Sequence, residues 1–235
     1  MIMNLPDNIN YKELFNFLKQ FLTDERLDRF YEVINDRITN VQLILEDVYQ
    51  SHNASAIIRT CDAMGIQYVN VIEKRNKFNP NKDICLGSDK WVDISLYNGE
   101  NGLIDCVNLL KQHNFNIVAT SSHLSYAYTP ETLPIDKPLA LMFGVEREGL
   151  SNEAISLADN YLYIPMYGFA ESLNVSVAVG ISLFTITQRM RKANKLLMLS
   201  DEEYYKILCE WTLTSLSNSE IYIKTFLNNK YENDR

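Results

Sequence analysis

VQLILEDVYQSHNASAIIRTCDAMGIQYVNVIE, residues 41–73, carries two different periodicities side by side. The leading run VQLILEDV is short and almost continuously apolar, as suits a strand buried on both faces of a sheet. NASAIIRTCDAM then reads as a helix closed by Gly65, and IQYVNVIE as the next strand. Strand, helix and strand in succession predict parallel pairing with the helix laid over the sheet.

Outward from this unit the alternation continues. After a basic turn come a strand at WVDISLY, a helix at GLIDCVNLLKQH and strands at NIVATSS and LALMFG. A short helix from Ser151, a strand at YLYIPM and an apolar helix from about Asn174 to Arg189 complete the pattern. The fold class is therefore α/β, with a mostly parallel sheet covered by helices. At the amino end, Leu14, Phe15, Leu18, Phe21 and Leu22 recur at helical spacing, and Thr23, Asp24 and Glu25 read as the start of a second helix. The tail from Ser200 holds a further helical pattern with Trp211 and Leu213. These readings divide the chain into an amino-terminal helical extension (1–40), an α/β domain (41–195) and a carboxy-terminal helical extension (196–235).

A chain of 235 residues, 46% hydrophobic, can bury a substantial core. Its four cysteines are scattered and it has only three histidines, so neither a zinc site nor a disulfide framework is suggested, and a reducing cytoplasm fits. No metal is expected. MIMNLPDNINYKEL has neither the basic start nor the apolar core of a secretory signal, and no run of about eighteen apolar residues suggests a membrane span. The net charge of −8 runs against phosphate-driven nucleic-acid binding. Two basic groups soften this: Lys74, Arg75, Lys77 and Lys82 in one turn-rich stretch, and Arg189, Arg191, Lys192 and Lys195 in another. Each has an ordinary reading as a solvated face.

Ligands of open parallel sheets bind beyond the carboxyl ends of the strands, which directs attention to three loops. YQSHNASAIIRT follows the first strand, with Asn53 and Arg59; GVEREGLS follows LALMFG; and the stretch with Gly168, Ser172 and Asn174 follows YLYIPM. Of eight glycines, Gly144, Gly149, Gly168 and Gly180 lie in the later segment, where glycine permits positive φ or close backbone approach. Turns and helix caps also use these residue types. GVEREGL lacks the Gly-Lys-Ser/Thr of a P-loop, no GxGxxG follows the first strand, and no GxSxG accompanies His52 or His123.

Taken together, NASAIIRTCDAMG (53–65), FGVEREGLS (143–151) and IPMYGFAESLNVSVAVG (164–180) resemble, in order and spacing, the three motifs of the SPOUT RNA ribose 2′-O-methyltransferases. LTDERLDRFYEVINDRITNVQLILEDVYQSHN, GSDKWVDI and LSDEEYYKILCEWTLTS resemble the TrmH branch, which methylates the ribose of guanosine 18 in tRNA. The resemblance implies a Rossmann-like sheet with a carboxy-terminal trefoil knot, S-adenosyl-L-methionine as methyl donor, tRNA as partner, and a homodimer across which the site is completed. It implies that Thr120, Ile164 and Leu173 contact the cofactor largely through main chain, with Gly144 allowing close approach. It gives Arg59 the task of helping the 2′-hydroxyl react. Because a guanidinium stays protonated, gripping the adjacent phosphate or stabilising charge on O2′ suits it better than abstracting a proton. By the same resemblance Asn53 orients substrate or the Arg59 loop, Glu146 braces its loop or pairs with an arginine, and Ser172 and Asn174 position cofactor, hydroxyl or Arg59. Lys90 and the two basic groups are candidate RNA contacts. Two alternatives stand beside this reading: a ribosomal-RNA 2′-O-methyltransferase of the same superfamily, and a noncatalytic RNA-binding protein that retains the fold.

Overall fold

The computed structural model describes residues 9–121, 127–145 and 148–233. In chain order its elements are α1 (Tyr11–Leu18), α2 (Asp24–Ile34), β1 (Val41–Glu46), α3 (Ser51–Ala63), β2 (Tyr68–Glu73), α4 (Lys82–Cys85), β3 (Asp93–Asn98) and α5 (Gly102–Gln112). There follow β4 (Asn116–Thr120), β5 (Leu139–Phe143), α6 (Asn152–Leu157), β6 (Asn160–Leu162), α7 (Val175–Lys192), α8 (Asp201–Ser215) and α9 (Ser219–Asn233).

The six strands form one sheet in the order β3-β2-β1-β5-β4-β6, and every pairing is parallel. Residues 41–73 seed it as their pattern requires: β1 lies centrally, Leu43 beside Val69 on one flank and beside Leu141 on the other. Because side chains alternate across a strand, the apolar run of β5 splits between two cores. Leu139, Leu141 and Phe143 face Ile57, Ile58 and Cys61 of α3 and Val179, Leu183 and Ile186 of α7. Ala140 and Met142 join Leu103, Val107 and Leu110 of α5 on the other face. A strand buried on both sides has no polar face, which is why these runs read as continuously apolar.

The strand expected over YLYIPM is shorter than its apolar pattern: pairing ends at Leu162, and residues 163–174 run as irregular chain to α7. Backbone hydrogen bonds are withdrawn from the sheet at the point where the chain meets the cavity described below.

The residues fall into two compact units, one spanning 38–197 and the other holding the described residues up to Arg37 together with those from Met198. In the second, α1 packs on α8, so the two ends of the chain share one helical core of Leu14, Phe15, Leu18, Leu208 and Trp211. Its helix starts follow the sequence: Thr23 caps α2, and Ser200 with Glu203 forms a reciprocal capping box at α8. Among the described residues no helix is long and apolar enough to cross a membrane. None of the four cysteines forms a disulfide, and burial raises the Cys106 thiol to about 12.

Candidate active site

A cavity of about 320 Å³ opens at the carboxyl ends of β4, β5 and β6, within the range of small-ligand pockets. Thr120 and Ser121 follow from β4, Phe143 and Gly144 from β5, and Leu162 and Ile164 from β6. Ser172 and Leu173 close it from the segment before α7, and Gly149 and Leu150 from the loop before α6. Its lining combines apolar residues such as Phe143, Leu150, Leu162 and Val175 with Glu148 and Glu171. Such a lining fits a flat, largely apolar ring that also carries polar and cationic groups.

All four residues expected at a cofactor, Thr120, Gly144, Ile164 and Leu173, line this cavity. The Thr120 hydroxyl donates to the Met142 carbonyl at 2.7 Å, which ties the ends of β4 and β5 together. Gly144 is required by the chain itself. A Cβ there would lie 2.1 Å from the Gly149 carbonyl oxygen and 2.5 Å from the Leu150 nitrogen. Gly149 meets the second demand, a φ of +69° where side chains are disfavoured, and bridges back to Val145.

Of the residues expected to act on the substrate, Ser172 is exposed on the cavity rim. Asn174 and Asn53 do not line it but bind each other. The Asn174 amide donates to Asn53 Oδ1 at 2.9 Å, while Asn174 Oδ1 accepts from the Ser176 backbone N–H at 2.9 Å and from its hydroxyl at 2.6 Å. Asn53, almost fully buried, donates in turn to Gln50 Oε1 at 3.0 Å. The polar residues that open the apolar α7 are thus a helix cap joined to a strut between the first and third motif segments. Arg59 lies exposed on α3, outside the cavity lining, and has no hydrogen bond or ion pair among the described residues. Glu146 and His123 lie outside the described residues.

Most of the basic groups are engaged within the chain. Lys74 pairs with Glu153 at 2.6 Å and Glu46 at 3.4 Å, Arg75 with Asp47 at 3.2 Å and Glu148 at 2.8 Å, and Lys77 with Glu73 at 2.8 Å. Arg189 donates to the Pro130 carbonyl at 2.7 Å and Lys195 pairs with Asp136. Lys82, Lys90 and Lys192 are exposed. Burial would raise the Asp47 carboxyl, but the backbone N–H groups of Arg75, Lys74 and Asn76 and the Arg75 guanidinium outweigh it and hold Asp47 below the ordinary range. Glu73 is lowered likewise, burial being outweighed by Lys77 and the Phe78 N–H. Sequence reasoning missed Glu46 and Asp47; their signal was two adjacent acids ending a buried strand. Among the described residues no cluster of His, Cys, Asp and Glu could hold a metal ion.

Fold and cavity define an α/β protein that takes a small ligand at the carboxyl ends of a parallel sheet, beside a glycine-dependent loop. The chain belongs to the SpoU rRNA Methylase family, whose profile matches residues 40–184. It is 38% identical over 211 residues, 90% of this chain and 94% of the other, to the tRNA (guanosine(18)-2′-O)-methyltransferase of Borreliella burgdorferi. The crystal structure of the A. aeolicus TrmH/SpoU tRNA modifying enzyme superposes with a TM-score of 0.75 at 34% identity, covering 83% of this chain and 98% of that one. An AdoMet-bound rRNA methyltransferase from Sinorhizobium meliloti gives 0.57 at 26% identity, covering 66% of this chain and 59% of that one.

Proposed function

We infer that this chain transfers the methyl group of S-adenosyl-L-methionine to the ribose 2′-hydroxyl of a guanosine in tRNA, guanosine 18 being the target. The observation that carries this reading is the cavity, which gathers Thr120, Gly144 and Ile164 from three strand ends with Ser172 and Leu173 from the segment before α7. The tRNA target is favoured because the B. burgdorferi relative, matched over nearly all of both chains, carries that activity in its name.

The donor supplies an electrophilic methyl on a sulfonium; the chain's residues hold and orient. Thr120, Gly144, Ile164 and Leu173 would bind the donor. Positioning of reactants can lower a barrier by roughly 7 to 11 kcal/mol, so rigid placement suffices for much of the rate. Ser172 and the Asn53–Asn174 pair order the rim where the ribose would enter. Arg59 stabilises the developing oxyanion or grips the neighbouring phosphate, and Glu146 braces the second-motif loop.

In this reading the site is completed across a homodimer. Arg59 does not line the cavity of its own chain, and α7 leaves Val177, Ile181 and Phe184 exposed along one face, a stripe suited to a second copy. The reading also carries a trefoil knot in the segment after β6, a cytoplasmic setting, and the division into residues 1–40, 41–195 and 196–235.

The test is transfer from labelled S-adenosylmethionine to unmodified tRNA and, separately, to ribosomal RNA, with the product mapped by mass spectrometry. Label at the D-loop guanosine ribose is expected. Label in ribosomal RNA alone would replace the substrate, and no transfer by a folded protein would leave an RNA-binding role.

A further inference from the structure

Two consecutive acids end the central strand β1, and neither lines the cavity. Glu46 is 4% exposed, and its carboxylate accepts two hydrogen bonds from one residue: the Ser151 backbone N–H at 2.8 Å and the Ser151 hydroxyl at 2.6 Å. Lys74 lies 3.4 Å from the same carboxylate and donates to Glu153 on α6 at 2.6 Å, so the buried charge is balanced. Asp47, in the left-handed region at φ +55°, accepts the backbone N–H groups of Lys74 and Arg75 at 2.8 and 2.9 Å. It also accepts Arg75 Nε at 3.2 Å, and Arg75 Nη2 reaches Glu148 at 2.8 Å.

The segment Glu148–Ser151 is therefore held at both ends from consecutive residues, directly by Glu46 at Ser151 and by Asp47 through Arg75 at Glu148. Glu148, Gly149 and Leu150, the residues between the grips and including one of them, wall the cavity. The grips differ in strength. The Arg75–Glu148 pair is solvated, with side chains 64% and 67% exposed, and exposed pairs hold weakly. The Glu46–Ser151 contact is part-buried and charge-assisted, with both oxygens of a buried carboxylate fixed on one residue. An apolar side chain could fill the same volume without the desolvation cost of a carboxylate, but could not fix the position of a backbone N–H. Ser151 passes the constraint onward, because its hydroxyl also caps α6 by accepting the Ala154 N–H at 3.1 Å.

We propose that Glu46 is a positioning residue for methyl-donor binding: it holds the Glu148–Ser151 wall in its binding geometry before the donor arrives. Binding then does not have to order that wall, the usual advantage of a preorganised site. The proposal rests on the reading of the cavity as the S-adenosylmethionine site.

Glu46→Gln keeps the size of the side chain but removes the charge and one acceptor. By calorimetry the S-adenosylmethionine Kd is expected to weaken by about tenfold, the order of effect when a preorganised loop is loosened. KM for the donor should rise in step, while kcat and KM for tRNA stay within about twofold, the signature of lost donor binding alone. Hydrogen exchange at the Gly149, Leu150 and Ser151 amides, measured without any ligand, should quicken. Ser200→Ala, which removes the same capping chemistry from α8, serves as the structural control and should lower Tm without moving the donor Kd. If Glu46→Gln does not fold, Ser151→Ala removes one of the two contacts and should shift exchange and Kd in the same direction by about threefold. Unchanged exchange, or an unchanged donor Kd in a folded variant, would overturn the proposal. A wild-type protein that fails to bind S-adenosylmethionine would instead overturn the functional reading, and the exchange comparison would still decide whether Glu46 holds the wall.

Discussion

The side-chain amide of Asn174 donates to the side-chain oxygen of Asn53 at 2.9 Å, joining residues 121 positions apart in the chain. Asn53 stands in the first turn of α3 and Asn174 is the cap of α7, so the bond fixes two packed helices at their amino-terminal ends.

Asn174→Ala removes a helix cap, worth about 1 kcal/mol, and takes one donor from the buried Asn53 oxygen, so it should cost more than the cap alone. Asn53→Ala strands only the more exposed end and should cost less. Because the two share one bond, the double variant should lose less than the sum of the singles, by about 0.5 kcal/mol or more. Denaturant unfolding of the four proteins measures this, and strict additivity would show that the contact carries no energy.

Gly144→Ala tests the second motif. The added methyl cannot avoid the Gly149 carbonyl without moving the backbone of the loop that walls the cavity. Overpacking of this kind costs about 1 to 3 kcal/mol, and donor binding should fall below detection while the helical unit keeps its spectrum. Calorimetry decides the matter: donor affinity close to wild type would mean that the loop can shift freely.

The central strands and the apolar helix were legible because burial on both faces leaves β5 wholly apolar and β1 apolar except for Gln42 and Glu46, and because Gly65 marks the end of α3. Part of the cavity wall was legible for the same local reason, since Gly144 and Ile164 stand just past strands whose ends can be read, whereas Leu173 lies far along the irregular chain between β6 and α7. Pairings that close over long distances were not. Nothing in the spacing of the acids says that Glu46 meets Ser151, that Lys74 and Arg75 spend their charge on carboxylates rather than on solvent, or that α1 shares a core with α8. Those contacts depend on strand order, and β5 enters between β1 and β4 only when the sheet forms.

Phe184→Asp tests the exposed face of α7. Val177, Ile181 and Phe184 are 48%, 38% and 56% exposed, while Val179, Leu183 and Ile186 on the same helix are fully buried. A charge placed in a dimer contact at this face should give a monomer by light scattering at micromolar concentration, with methyl transfer lost. If Arg59 serves the cavity of a second copy, mixed dimers of Arg59→Ala and Ser172→Ala chains should recover activity that neither homodimer has. A monomeric wild type, or inactive mixed dimers, would place Arg59 elsewhere in the mechanism.

Asp47 makes the α/β unit sensitive to acid. Its ordinary value of 3.8 applies to the unfolded chain and its folded value is lower, so the unfolded state binds the proton more readily. The stabilisation is therefore complete above about pH 4 and is lost as pH falls through the folded value. Glu73, lowered from an ordinary 4.5, adds a loss of the same sign beginning slightly higher. Asp47→Asn cannot accept four donors as a carboxylate does, so it should melt well below wild type at pH 7. Below pH 4 the wild type gives up the same advantage, and the two melting curves should converge. Melting temperature measured from pH 7 to pH 3 checks this: a gap that stays constant would mean that the Asp47 charge does not contribute to folding.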